Sequence, residues 1–193
     1  MKAADIACVI LASGLSRRFG SPDKLFADLC GKPVLTHVLD TAKSVGFGAI
    51  FCVAKNTSSD EINWIENKNP EQGQGHALRL GLQAAKEKRW KFCAVMLGDM
   101  PLVTAVYLKN MIDKFDLNQN LISVSLSVRM PPAIFNQAGM DLILSQNVAV
   151  TARNIFDELN PQMIDLDAES AQDVDTPEDL FRVSQAMKTR NRD

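Results

Sequence analysis

An α/β domain built on one mostly parallel sheet, with helices on both faces, is the fold class that three observations predict. Ile6 to Leu11, Ala49 to Ala54 and Phe92 to Leu97 are apolar throughout, the pattern of strands buried on both faces. Between them stand amphipathic stretches with apolar residues at helical spacing. Strands alternating with helices imply parallel pairing, and place ligands at the carboxyl ends of the strands. With 193 residues and 46% hydrophobic content, the chain suffices for one domain with a substantial core, so 1–193 is read as a single domain.

The elements follow in order. The first strand opens into a polar, small and basic loop from Leu11 to Leu25. Pro33 then starts a helix carrying Val34, Leu35, Val38, Leu39 and Ala42 on one side, and Gly46 ends it. The strand Ala49 to Ala54 is followed by Thr57 to Lys68, which fits a short helix and then a short strand. Asn69 to Gly75 is a loop with turn chemistry throughout, and His76 to Lys88 a helix with Leu78, Leu82 and Ala85 inward. Phe92 to Leu97 is a central strand ending at Gly98-Asp99-Met100-Pro101, after which Thr104 caps a helix reaching Phe115. Leu121 to Val128 alternates as a strand, and Pro131-Pro132 breaks the chain before Ile134-Phe135. Helices are expected at Gln137 to Leu144 and Ala152 to Leu159, and a short strand at Met163 to Leu166. The last helix has Thr176 as cap, Pro177 at its first position and Asp179 three residues after the cap, with a frayed tail from Lys188.

Composition excludes several classes of function. A net charge of -2 provides no global basic field, so nucleic acid is not an expected partner. No run of about 18 apolar residues is present, and Met1-Lys2-Ala3-Ala4-Asp5 leads into a strand without a signal-like segment. The expectation is a cytoplasmic protein with no membrane partner. Cys8, Cys30, Cys52 and Cys93 lack metal or redox spacing, three of them lie in apolar runs, and none is assigned chemistry.

Chemistry concentrates in the first loop. Gly14 and Gly20 allow close backbone approach, and Arg17, Arg18 and Lys24 bring three cations, a combination suited to polyphosphate; the other reading is a surface turn with solvated charges. The Walker and dinucleotide motifs are both excluded, because Lys24 precedes Leu25 and the two glycines lie six apart. Asp99 follows a neighbouring strand and should share this sheet edge, where a carboxylate beside phosphates suits magnesium. A helix cap or turn residue is the alternative for Asp99.

The motifs Leu11-Ala12-Ser13-Gly14, Arg17-Arg18-Phe19-Gly20, Asp23-Lys24-Leu25, Gly31-Lys32-Pro33-Val34-Leu35, Gly73-Gln74-Gly75-His76-Ala77-Leu78, Leu97-Gly98-Asp99-Met100-Pro101 and Asp175-Thr176-Pro177-Glu178-Asp179-Leu180 together resemble the molybdenum cofactor nucleotidyltransferases. With Ser13 where the guanylyltransferases usually carry a glycine, the chain is more similar to the CTP:molybdopterin cytidylyltransferases. The resemblance implies a Rossmann-like nucleotidyltransferase fold, an NTP (CTP before GTP) with its triphosphate on Leu11, Ala12, Ser13, Gly14, Arg17, Arg18 and Lys24, and Mg2+ on Asp99. It further implies base or ribose contacts from Gly73, Gln74, Gly75 and His76, a nucleotide-binding half over 1–101, and an acceptor half over 102–193.

In such a transfer the catalytic residues are Arg18 and Lys24, holding the β- and γ-phosphates, and Asp99, holding the metal; an ionised acceptor phosphate needs no side-chain base. His37 in a helix and His76 at a helix start are accordingly not read as bases. Asp173 and Asp175 are both candidates for a second metal ligand. Resemblance to sugar-nucleotide synthetases, which use an aspartate in a like Asp-Thr-Pro-Glu-Asp setting, selects Asp175.

Two stretches depart from the cytidylyltransferase pattern, at Arg129-Met130-Pro131-Pro132 and at Val148-Ala149-Val150-Thr151-Ala152-Arg153, and both lie in the acceptor half. A molybdopterin-type acceptor is the expectation. Its rivals are a guanylyl or sugar-phosphate nucleotidyltransferase, and a non-catalytic nucleotide-binding protein that guides cofactor into a partner molybdoenzyme or works with its chaperone.

Overall fold

The computed structural model describes residues 1–21, 23–55, 62–146 and 158–190. Strand β1, Ala7–Ala12, is buried at every position. Cys8, Ile10 and Ala12 face one core while Ala7, Val9 and Leu11 face the other, which is why the run must be apolar without interruption. The short ribbon β2 (Asp28–Leu29) and β3 (Lys32–Pro33) leads into α1, Val34–Val45, with Pro33 as its N-cap and Gly46 closing its end at φ 82°. β4, Ala49–Ala54, pairs in parallel with β1, and β5, Asn63–Glu66, pairs in parallel with β4. The helix expected ahead of β5 falls largely outside the described residues.

Helix α2, Gly73–Glu87, begins before the expected His76, so the glycine-rich stretch read as loop is its first turn. Glycine costs helix stability in the interior, but at the entry Gly73 stands at φ 80° and turns the chain out of the preceding Pro70–Gln72 turn. At Gly81 an added Cβ would lie 2.3 Å from a Val9 methyl, so only glycine lets α2 sit this close to β1. β6, Cys93–Leu97, pairs in parallel with the other edge of β1, and α3, Ala105–Lys114, is capped by Thr104, which accepts from Tyr107 N at 3.1 Å.

The prolines do not break the chain as expected. β7, Leu121–Ser125, turns through Leu126 and Ser127 at φ 48° and 65° into the antiparallel β8, Val128–Phe135, which runs straight through Pro131-Pro132. Register passes from Ile122↔Ala133 to Ser123↔Met130, so the prolines form a bulge in which the β7 ladder asks them for no N–H. Consecutive positive φ values are the mark of a two-residue hairpin turn, here made by Leu-Ser rather than the usual Asn-Gly.

α4, Gln137–Ser145, is capped by Asn136, which accepts from Gly139 N at 2.9 Å. The helix expected at Ala152 to Leu159 lies almost wholly outside the described residues, as does the Val148 to Arg153 stretch. β9, Gln162–Asp165, and α5, Pro177–Arg190, follow. Thr176 and Asp179 cap α5 reciprocally, at 3.2 Å to Thr176 Oγ1 and 2.8 Å to Asp179 Oδ2. The tail is ordered further than expected: α5 reaches Arg190, which donates to Leu102 O at 2.7 Å and to Ser170 Oγ at 2.9 Å.

Among the described residues seven of the nine strands form the main sheet, in the order β5-β4-β1-β6-β8-β7-β9 and with β8 opposed to the other six. α1 and α3 cover one face and α2 and α4 the other, as expected, while α5 packs Val183 with Val174, Leu29, Val34 and Leu102 in a third cluster. Cys8, Cys52 and Cys93 are core residues whose thiols burial pushes up, that of Cys52 to about 12. Among the described residues no helix is long and apolar enough to cross a membrane.

Candidate active site

β1 and β6 are neighbours in register, Leu11 opposite Leu97, and Gly98 N donates to Leu11 O at 2.9 Å. The loop after β1 and Asp99 after β6 are therefore brought to one edge. Asp175 reaches the same place from far along the chain, because Val174 is buried under α5 and its N–H donates to Asp99 O at 2.9 Å. The capping of α5 at Thr176 fixes the segment from its other side.

Lys24 joins these two carboxylates. Its Nζ donates to Asp99 Oδ2 at 2.5 Å and to Asp175 Oδ1 at 2.6 Å, and its side chain is 8% exposed. Burial disfavours the ammonium, yet the charges of Asp99 and Asp175 and its bonds to them outweigh that cost and raise the Lys24 pKa. Arg18 pairs with the other oxygen of Asp175 from a side chain that is 73% exposed. Asp173 lies nearby, its carboxyl pushed up by burial and then by the charges of Asp175 and Asp99.

The loop is closed by Asp23. Ser16, in the left-handed region at φ 50°, donates from Oγ to Asp23 Oδ1 at 2.6 Å, and Leu25 N donates to the same oxygen at 3.2 Å. Lys55, just beyond β4, pairs with Asp23 Oδ2. Although burial works the other way, the bonds from Lys55, Ser16 and Leu25 hold the Asp23 carboxyl below its usual range.

A cavity of about 360 Å³ stands over this arrangement. Leu11, Ser13, Gly14, Arg17, Arg18, Lys24, Asp99 and Asp175 line it from the sheet side, and Gly73 and Gln74 from the first turn of α2, the positive end of a helix dipole that suits an anion. At Gly14 an added Cβ would meet nothing within 4 Å, so the loop backbone faces open space. Ala12, Gly75 and His76 are not among the walls: Ala12 points into the core at 3% exposure, and the helical turn carries Gly75 and His76 past the opening. His37 is tied to the fold, its Nε2 2.7 Å from Leu29 O.

Sequence reasoning gave no role to Lys55, Asn67, Pro70 or Glu71. Lys55 and Asn67 follow the carboxyl ends of β4 and β5, so the strand-end rule that selected Asp99 could have selected them. Pro70 and Glu71 enter the cavity wall through the turn ahead of α2.

The crystal structure of Rv0371c from Mycobacterium tuberculosis H37Rv is similar in fold, with a TM-score of 0.79 at 21% identity over 93% of this chain and 97% of that one. A complex of Rv0371c with manganese gives 0.72 at 18% identity, covering 94% and 98%. Molybdopterin-guanine dinucleotide biosynthesis protein A from Archaeoglobus fulgidus gives 0.73 at 20% identity, covering 95% and 99%. Among curated proteins, the bifunctional protein GlmU of Nitrosomonas eutropha is 36% identical over 115 residues, which are 55% of this chain and 25% of that protein. The chain spans about a quarter to a third of the length of the first such relatives. The sequence model of the MobA-like NTP transferase domain matches residues 8–163, well over half of the chain, so that this protein belongs to the MobA-like NTP transferase family.

Proposed function

We propose that the protein is a magnesium-dependent nucleotidyltransferase that moves a nucleoside monophosphate from an NTP, CTP before GTP, to a molybdopterin-type phosphorylated acceptor, with release of pyrophosphate. The observation that carries this reading is the meeting of Lys24, Arg18, Asp99 and Asp175 beneath a glycine-containing loop at one wall of the cavity.

The donor set fits a divalent cation of the magnesium kind. Among the described residues no group of three or more His, Cys, Asp or Glu could form a cage by itself, whereas magnesium takes one or two carboxylates and completes its shell with phosphate and water. Asp99 and Asp175 would hold it, and the manganese complex of Rv0371c supports a divalent ion in this fold. Bound there, the metal would neutralise charge on the reacting phosphates.

Arg18 and Lys24 would bind the β- and γ-phosphates and hold the leaving pyrophosphate. Ser13 and Gly14 would lay their backbone against the triphosphate, and Gly73 and Gln74 would meet the base or ribose from α2. Positioning and charge neutralisation are the main demands of in-line displacement, so no nucleophilic side chain is needed. Residues 1–101 supply most of this set, and 102–193 would serve chiefly the acceptor. Pyrophosphate release measured for CTP, GTP, UTP and ATP against molybdopterin and a sugar 1-phosphate tests the assignment: turnover with CTP and molybdopterin is expected, and turnover with the sugar phosphate alone overturns the acceptor.

A further inference from the structure

Lys24 occupies one oxygen of each carboxylate that a metal would use. One ammonium bridges Asp99 Oδ2 and Asp175 Oδ1 at 2.5 and 2.6 Å, and Arg18 takes the remaining oxygen of Asp175. Two carboxylates are thereby matched by two cations. A divalent ion arriving alone to span both carboxylates must compete with the ammonium that sits between them. It must also leave a buried lysine, 8% exposed, without its counter-charge, and an unpaired charge in such a place is costly. A triphosphate alters that balance, because its oxygens offer Lys24 and Arg18 new charge-assisted partners in the adjoining cavity.

We propose that Lys24 is a positioning residue that makes metal occupancy of Asp99 and Asp175 conditional on nucleotide, serving as the counter-ion of the carboxylate pair until phosphate draws its ammonium away. This rests on the reading of the site as one for NTP and metal. Metal and nucleotide then enter as one coupled event, and by thermodynamic reciprocity each raises the affinity of the other. The idle protein holds its carboxylates together without a metal.

Manganese alone is the probe, its free aquo ion counted by electron paramagnetic resonance, with and without a non-hydrolysable CTP analogue whose own chelation is measured in the absence of protein. Lys24→Met should bind bare manganese about tenfold more tightly than the wild type, a typical size for site coupling, whereas Lys24→Arg, which keeps the charge, should stay weak. Equal affinity of wild type and Lys24→Met for bare manganese overturns the proposal. Should Lys24→Met fail to fold, the wild type still decides through the 15N signal of the Lys24 ammonium. That signal should be unmoved by magnesium alone and shifted by magnesium with the analogue; a shift by magnesium alone overturns the proposal. Wild type that binds no manganese with or without the analogue removes the underlying reading of the site as well, which separates that failure from the first.

Discussion

Asn67 Nδ2 donates to Ser13 Oγ at 2.8 Å, a buried bond between the end of β5 and the first residue beyond β1. Asn67 also accepts from Asn69 N at 3.0 Å, so one side chain fixes the floor of the loop and the approach to α2 together. Asn67→Ala leaves the Ser13 hydroxyl buried without this donor and should cost about 1–3 kcal/mol. Urea unfolding of the two proteins checks it.

Ser13 bears on nucleotide choice, since it lines the cavity at the position where the resemblance puts a glycine in the guanylyltransferases. CTP with magnesium should stabilise the protein more than GTP does, and a ligand at about 100 times its dissociation constant adds roughly 2.7 kcal/mol. Thermal-shift titration with the four NTPs measures this, and a clear preference for GTP would reassign the nucleotide.

Lys24 and Arg18 should differ in weight. Losing a charged hydrogen bond costs about 1.5–3 kcal/mol, so Arg18→Ala should lower kcat/KM by about tenfold to a hundredfold. Lys24→Ala removes a buried cation with two partners and should lower it further, with a measurable loss of stability besides. Wild-type turnover in both variants at subsaturating NTP would leave the loop as a surface turn.

Asp175→Asn keeps shape and helix start while removing one carboxylate. Activity should fall by about a hundredfold or more and the magnesium requirement should rise, the scale of several kcal/mol that a metal contact supplies. Its loss of stability should stay below the ~3–5 kcal/mol of a fully orphaned buried charge, since Asp99 still balances Lys24. Initial rates over a magnesium titration, with a melting curve for each protein, make the comparison.

Asp23 predicts a pH dependence of folding. Its carboxyl is held lower in the folded protein than its ordinary value of 3.8, so the carboxylate binds fewer protons folded than unfolded. The resulting stabilisation is present above the ordinary value and is lost as pH falls through the folded one. Asp23→Asn lacks it at every pH, so the gap in unfolding free energy between the two proteins should narrow from neutral pH toward pH 3.

Much of this architecture was legible because apolar periodicity reports burial directly. β4 has the expected boundaries, Gly46 and Thr104 close and open their helices as expected, and the approach of the first loop to Asp99 follows from two strands running side by side. What stayed hidden depends on pairing. Leu126 and Ser127 carry no hairpin signal, and Pro131-Pro132 reads as a break until β7 supplies a ladder with a bulge at that position. Gly73 and Gly75 look like loop residues because the reason for a helix there, packing of Ala77, Leu78 and Leu82 on the sheet, is tertiary. Lys55 and Asn67 act through Asp23 and Ser13 in the loop after β1, partners distant in sequence that no local pattern reveals.

The contact between Gly81 and Val9 bears on the cost of binding. With no side chain between them, helix and strand leave little slack for α2 to slide or tilt, so the first turn at Gly73 and Gln74 holds its distance from the loop at Ser13 and Gly14 before any ligand arrives. The entropy of setting those two walls against each other is spent during folding, and a nucleotide entering between them meets a pre-organised cleft and keeps more of its contact energy as affinity. Gly81→Ala, although outside the cavity wall, would therefore register as weaker nucleotide binding as well as lower stability.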